Sequence, residues 1–267
     1  MAKRKSNKKS NNLITGLTVI FFIGISLFVG GGYDTNKSVT DNIYNVVDKV
    51  TGNNTIESEL PSQTTEGLLT AEDIKDYDGT KNVVINNNES GIESQESFKT
   101  ELNGNFYASQ LDNQNRAGVV KAYLTKSTYR SSADREENSN ISNIKPTGWK
   151  NKKVDGSYIY NRSHLIGYSL IDADTDTVYN LITGTRDFNA DTDWGMLHYE
   201  NLVRDAVLDG KDVMYIVNPV FKGNEEVARG VQMIAESTDG SLKFNVFIYN
   251  VQDNITINYS DGTSVKS

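Results

Sequence analysis

The chain has 267 residues, enough for one globular domain behind an N-terminal leader and too few for two ordinary domains beside one. Its formal net charge is -8, and Lys3, Arg4, Lys5, Lys8 and Lys9 sit in the first ten residues, so the rest sets 22 basic against 35 acidic residues. That excludes a globally basic nucleic-acid binder. The absence of cysteine excludes disulfides, thiolate metal sites and cysteine nucleophiles.

Residues 1–12 form a basic head, and 13–32, LITGLTVIFFIGISLFVGGG, carry no charge. At about 1.5 Å per residue this run spans roughly 30 Å of hydrocarbon, and the basic head stays inside, so the rest of the chain is expected outside the cytoplasm. A retained single-span anchor is the favoured reading. A cleaved signal peptide, giving a secreted protein, competes with it, although no alanine occurs between Ala2 and Ala71 to build an A-x-A site. Residues 33–76 are rich in Asn, Thr, Ser, Asp and Glu and read as a flexible stalk, within which 39–50 could form one or two amphipathic turns. The folded domain is expected over 77–267.

Asn82–Ile85 predicts an opening strand, and Asn115–Lys126 predicts a helix with Val119, Ala122 and Tyr123 on one face. Tyr158–Tyr160 and Tyr179–Thr183 read as short strands, and Trp194–Leu208 as a helix whose buried stripe is Met196, Tyr199, Val203 and Val207. Met214–Val220 and Phe244–Val251 are rich in β-branched and aromatic residues and read as sheet strands, with a turn at Asp239-Gly240. The order is mixed, an α+β domain.

Chemistry concentrates between Tyr158 and Leu208. A strand followed by His164, a second strand, Asn189 and then a helix carrying Glu200 make a workable hydrolase site. A neutral imidazole can take a proton from water near neutral pH, so His164 suits a general base. Asn189 offers a hard, neutral oxygen for Mg²⁺, which keeps most of its waters, and Glu200, at the edge of the buried stripe, can accept hydrogen bonds from those waters. Arg162, two residues before His164, can meet a phosphate through its planar fork.

The segments NRSHLIGYSL, YNLITGTRDFN and YEN, together with NRAGVVKAYL, PTGWKNKKVDGSYIY and the terminal LKFNVFIYNVQDNITINYSDG, resemble the DNA/RNA non-specific endonucleases over roughly residue 76 to the C-terminus. The resemblance is strongest to the membrane-bound nucleases streptococci use in DNA uptake and to their secreted DNases. It implies a ββα-metal (His-Me finger) core on a mainly antiparallel sheet and hydrolysis of DNA, and of RNA, to 5′-phosphate products. It further implies Mg²⁺, with Mn²⁺ as a substitute, as the cofactor; no small-molecule cofactor is expected. The retained leader favours processing of DNA during uptake, with the DNA-uptake machinery as a partner, over nutrient scavenging or destruction of extracellular DNA. In this family the motif usually reads DRGH. Here it is Asn161-Arg162-Ser163-His164, so an acidic residue at its first position is missing. By the same resemblance His164 is the general base, Asn189 the direct metal ligand, Glu200 a partner of the metal's waters, and Asn180 a side chain that braces the site.

Plainer readings stand beside these. A lone histidine after an aromatic strand is more often structural, and His198 reads as solvated helix surface. Asn180 could merely cap a turn. Asp172, Asp174 and Asp176 alternate as in a Ca²⁺ loop but lack its glycine and distal glutamate, so a solvated acidic loop is expected. Arg116, Lys121, Lys126, Arg130, Lys150, Lys152 and Lys153 flank the motif and together are the candidates for a phosphate-gripping strip, though each alone reads as ordinary surface charge.

Overall fold

The structure is a computed structural model that describes residues 67–102, 104–130 and 141–267. Its elements in chain order are β1 (Asn82–Val84), α1 (Gln95–Thr100), β2 (Phe106–Ala108), β3 (Val120–Leu124), β4 (Lys153–Val154), β5 (Ser157–Tyr158), β6 (Tyr160–His164), β7 (Leu181–Thr185), α2 (Arg186–Ala190) and α3 (Met196–Leu208), then β8 (Val213–Val220), β9 (Gly230–Ser237), β10 (Lys243–Tyr249), β11 (Ile255–Ile257) and β12 (Ser264–Lys266). The anchor expected at 13–32 and the amphipathic turns at 39–50 lie outside the described residues. Among the described residues no helix is long and apolar enough to cross a membrane.

The β-branched runs of β8, β9 and β10 pair into the centre of a six-stranded sheet, ordered β1-β10-β9-β8-β3-β2, with every pairing antiparallel. The turn between β9 and β10 has Gly240 at φ 71°, and its Asp239 carboxylate accepts from Ser237 Oγ and from the backbone N–H and hydroxyl of Ser241. These donors hold that carboxyl well below the usual range.

Both faces of the sheet are covered, and this decides β3. Val120, Ala122 and Leu124 join Tyr215, Val217 and Met233 against Met196, Val203 and Val207 of α3. Tyr123 turns to the opposite face, with Met214, Ile216 and Ile234 against Phe98 of α1 and Leu102. The helix expected over 115–126 is therefore a strand at its C-terminal half. A strand buried on both faces loses the polar alternation that marks it in sequence, so its apolar residues imitate a helical stripe. Residues 67–76 also depart from expectation. Instead of belonging to a free stalk, they pack on the domain through Leu68, Leu69 and Ile74. Leu69 N–H donates to Gln232 Oε1 at 2.8 Å, and the Leu69 carbonyl accepts from Asn218 at 2.9 Å.

On the α3 side, β6 and β7 form a separate antiparallel pair that leads directly into α2 and α3. Two glycines set how tightly this unit closes. A Cβ on Gly184 would collide with the Ser163 hydroxyl and come within 2.8 Å of the Phe188 ring, so a side chain there would push α2 off the hairpin. A Cβ on Gly195 would lie 2.8 to 2.9 Å from the carbonyls of Asp187, Phe188 and Asp191, so glycine lets α3 start against the end of α2. Thr185 caps α2, accepting from Phe188 N–H at 3.2 Å, while Asn250 ties β7 to the main sheet through Thr185 N–H and the Thr183 and Ala228 carbonyls.

Candidate active site

His164 is the last residue of β6, paired with Leu181 of β7. Its ring is only partly exposed, and Nε2 lies 2.7 Å from Oδ1 of Asp176, whose side chain is 21 % exposed against 13 % for His164. The Tyr168 ring sits 6.2 Å away, centroid to centroid. Asp176 was expected in a solvated loop, and the structure turns it inward instead. Asp172 faces Arg130 at 3.5 Å, and Asp174 is exposed.

Asn180 has no exposed surface, and its whole amide is committed to backbone. Its Oδ1 accepts from Ile166 N–H at 3.0 Å, and its Nδ2 donates to the Ile166 and Thr175 carbonyls at 2.9 Å each. The chain just after His164 and the chain just before Asp176 are thus fastened to one side chain. A simple turn cap would satisfy one neighbour; this amide spans two segments.

Asn189 in α2 and Glu200 in α3 are the opposite case. Both are half-buried, and among the described residues neither side chain makes a hydrogen bond. Glu200 follows Met196 by one turn, so it leaves the helix on the side that packs inward. A Cβ placed on Gly167 would sit 3.5 Å from Glu200 Oε1, which puts this carboxylate against the segment that follows His164. Burial pushes the Glu200 carboxyl up to about 7, and the Arg204 guanidinium one turn later pulls the other way. The hydroxyl of Tyr215 in β8 is buried without a hydrogen-bond partner among the described residues; burial first, and the charge of Glu200 second, push it far above its ordinary value.

Two half-buried oxygen donors without protein partners fit a hard cation that keeps most of its waters. Among the described residues no three His, Cys, Asp or Glu side chains gather to hold an ion. His198 is half-buried rather than solvated: its Nδ1–H donates to the Thr192 carbonyl at 2.9 Å, and its ring meets Tyr199 edge-on.

The basic residues divide sharply. Lys121 is 3 % exposed and pairs with Glu101 beside a cavity of about 220 Å³ that Phe98, Ile216 and Ile234 also line, on the sheet face away from α3. It cannot belong to a strip around His164. Arg116 is turned into the fold, bonded to Asp112 at 2.6 Å and to the Gly223 and Glu225 carbonyls, with Phe221 against its guanidinium. Arg162 gives Nε to the Ile144 carbonyl and Nη2 to that of Ser142, and stacks over Trp149 at 4.2 Å, so these two nitrogens clamp residues 142–149. Lys126 is exposed with no partner among the described residues. Lys150, Lys152 and Lys153 are exposed as well, touching Asp261, the Ser264 carbonyl and the Tyr158 ring respectively.

A family model for the DNA/RNA non-specific endonucleases matches residues 96–239. A deoxyribonuclease of Streptococcus dysgalactiae subsp. equisimilis is 34 % identical over 119 residues, 43 % of this chain and 36 % of that protein, so the chain spans about a third of this relative's length. Among solved structures, NucA from Streptococcus agalactiae with a magnesium ion bound superposes with a TM-score of 0.59 at 29 % identity, over 69 % of this chain and 86 % of NucA. The Sda1 nuclease with a bound zinc ion gives 0.59 at 24 % identity, over 70 % and 97 % of the two chains, a likeness of fold.

Proposed function

Because this chain belongs to the DNA/RNA non-specific endonuclease family, we propose that it cuts the phosphodiester backbone of DNA, and of RNA, without sequence preference and with a divalent cation. The observation that carries this reading is the contrast within one ββα unit between Asn180, whose amide is consumed by the protein, and Asn189 and Glu200, whose polar atoms are left for something else. Asn189 would hold the cation directly and Glu200 would hold its waters. When bound, such a cation neutralises charge on the scissile phosphate and on the leaving oxygen. His164 takes a proton from the attacking water as its oxygen bonds to phosphorus, and the P–O3′ bond breaks to leave a 5′-phosphate and a 3′ oxygen that takes a proton from solvent water. Arg162 acts on this reading as a brace for residues 142–149. Magnesium, as in NucA from Streptococcus agalactiae, is the preferred ion, with manganese as a substitute.

We further read residues 13–32 as an anchor that holds the nuclease outside the cytoplasm, which suits processing of DNA at the cell surface during uptake. Protease added to protoplasts should digest the domain while residues 1–32 stay with the membrane. A soluble mature protein starting near Tyr33 would contradict the anchor. The function itself is tested by incubating the full chain with supercoiled plasmid. Nicking with Mg²⁺ that stops on adding EDTA and resumes with excess Mg²⁺ is expected; DNA binding with no nicking would leave a tethered binding protein of the same fold.

A further inference from the structure

We propose that Asp176 is a positioning residue for His164, accepting the Nε2 proton of the imidazole so that its lone pair stands on Nδ1, the atom that takes the proton from water. This deepens the general-base reading of His164 and rests on it.

The geometry is local and specific. The two side chains are twelve residues apart, and the chain between them must fold back for Oδ1 to come within 2.7 Å of Nε2. That return is built in. Asn180 bonds Ile166 on one side and Thr175 on the other, its carbonyl accepts from Leu165 N–H at 2.9 Å, and Asp172 N–H at the far end of the loop donates to the Thr128 carbonyl. Of the three alternating aspartates, Asp176 alone lies in hydrogen-bond contact with the ring among the described residues. Among the described residues the Tyr168 ring on the same loop also meets His164, and the Glu200 carboxylate lies beyond, 3.5 Å from where a Cβ on Gly167 would sit; Arg162, earlier on β6, is turned toward the carbonyls of Ser142 and Ile144.

The chemistry follows from the tautomer. A carboxylate can only accept, so it fixes the neutral ring with hydrogen on Nε2. When Nδ1 gains the water's proton the ring becomes imidazolium, and the adjacent negative charge stabilises it. The motif here begins with Asn161, and the carboxylate beside the histidine, Asp176, comes from a different segment.

With only two histidines, nitrogen NMR of the full chain labelled in histidine reads each ring separately, and His198 is the internal reference. In Asp176→Asn the amide can donate to Nε2, so His164 should change to the Nδ1–H tautomer and titrate at lower pH by about one pH unit or more, with His198 unmoved. Plasmid cleavage in Mg²⁺ should fall by between about tenfold and the roughly 10² to 10⁴ of losing a general base, at unchanged KM. The acid limb of kcat/KM, where His164 must lose its proton, should move to lower pH with it. Asp176→Glu keeps the charge, so it should recover part of the rate with the acid limb in its original place. Asp176→Asn with an unchanged His164 spectrum, or with cleavage within twofold of the parent, would overturn the proposal. Undiminished cleavage by His164→Ala would instead remove the general-base reading, and this proposal with it, whatever the spectra show.

Discussion

Asn189 and Asn180 are the same residue type nine positions apart, and their surroundings assign them opposite work. Asn180 is sealed and fully bonded, whereas Asn189 is half-buried and its amide makes no hydrogen bond among the described residues. A buried amide robbed of partners leaves backbone groups unsatisfied, at about 1 to 3 kcal/mol each, so Asn180→Ala should fail first by destabilising the loop from Leu165 to Asp176. Asn189→Ala should instead leave unfolding unchanged and weaken Mg²⁺ binding by more than the about 10- to 100-fold typical of losing an outer-shell partner. Isothermal titration of Mg²⁺ beside urea denaturation distinguishes the two. Unchanged Mg²⁺ affinity in Asn189→Ala would remove this residue from the metal site. Added imidazole should not rescue its cleavage, because the base is still present.

At the scale of elements, the hairpin and its two helices hold the site, and residues 67–76 hold the sheet behind it. Leu68, Leu69 and Ile74 are partly buried, and full burial of one such side chain is worth about 1.5 to 3 kcal/mol. A chain beginning at Tyr77 should therefore be less stable in urea than one beginning at Gly67 by about 2 to 4 kcal/mol. Equal midpoints would show that these residues add nothing. The same elements explain what could be read in advance. The stripe Met196, Val203 and Val207 faces one side of the core only, so its period survived in α3; β3, buried on both faces, lost its own. The inward turn of Asp176 could not be read from an alternating acidic run, because the hydrogen bonds that bend it come from Asn180 and Thr128, outside that run. A signal was nevertheless present: a histidine base calls for an acceptor on its other nitrogen, and IDADTDT supplied carboxylates within reach.

For the whole molecule, charge is the constraint. The net charge of -8 repels a polyanion, so binding must depend on a few lysines. The fold removes Lys121 and Arg116 from that set and leaves Lys150, Lys152 and Lys153 exposed, with contacts that solvent weakens. Sequence proximity could not separate these groups, because Lys121 is buried in a strand of the main sheet while Lys150 is exposed outside any strand. Cleavage should weaken steeply with salt, since each phosphate neutralised contributes about 0.9 to the log-log slope on duplex DNA. Reversing all three lysines to glutamate should raise KM more than it lowers kcat and flatten that slope. Unchanged kinetics would place the binding strip elsewhere.

The central claim is that one histidine, held at the end of β6, is the base of a metal-dependent nuclease. It is tested most directly by cleavage of supercoiled plasmid in Mg²⁺ by the full chain, by His164→Ala and by His198→Ala, with Mg²⁺ affinity measured on each. His164→Ala should lose about 10² to 10⁴ in rate at near-normal Mg²⁺ affinity, and added imidazole should restore part of it. His198→Ala should cut at close to the parent rate. Loss of cleavage in His198→Ala, with His164→Ala spared, would contradict the account.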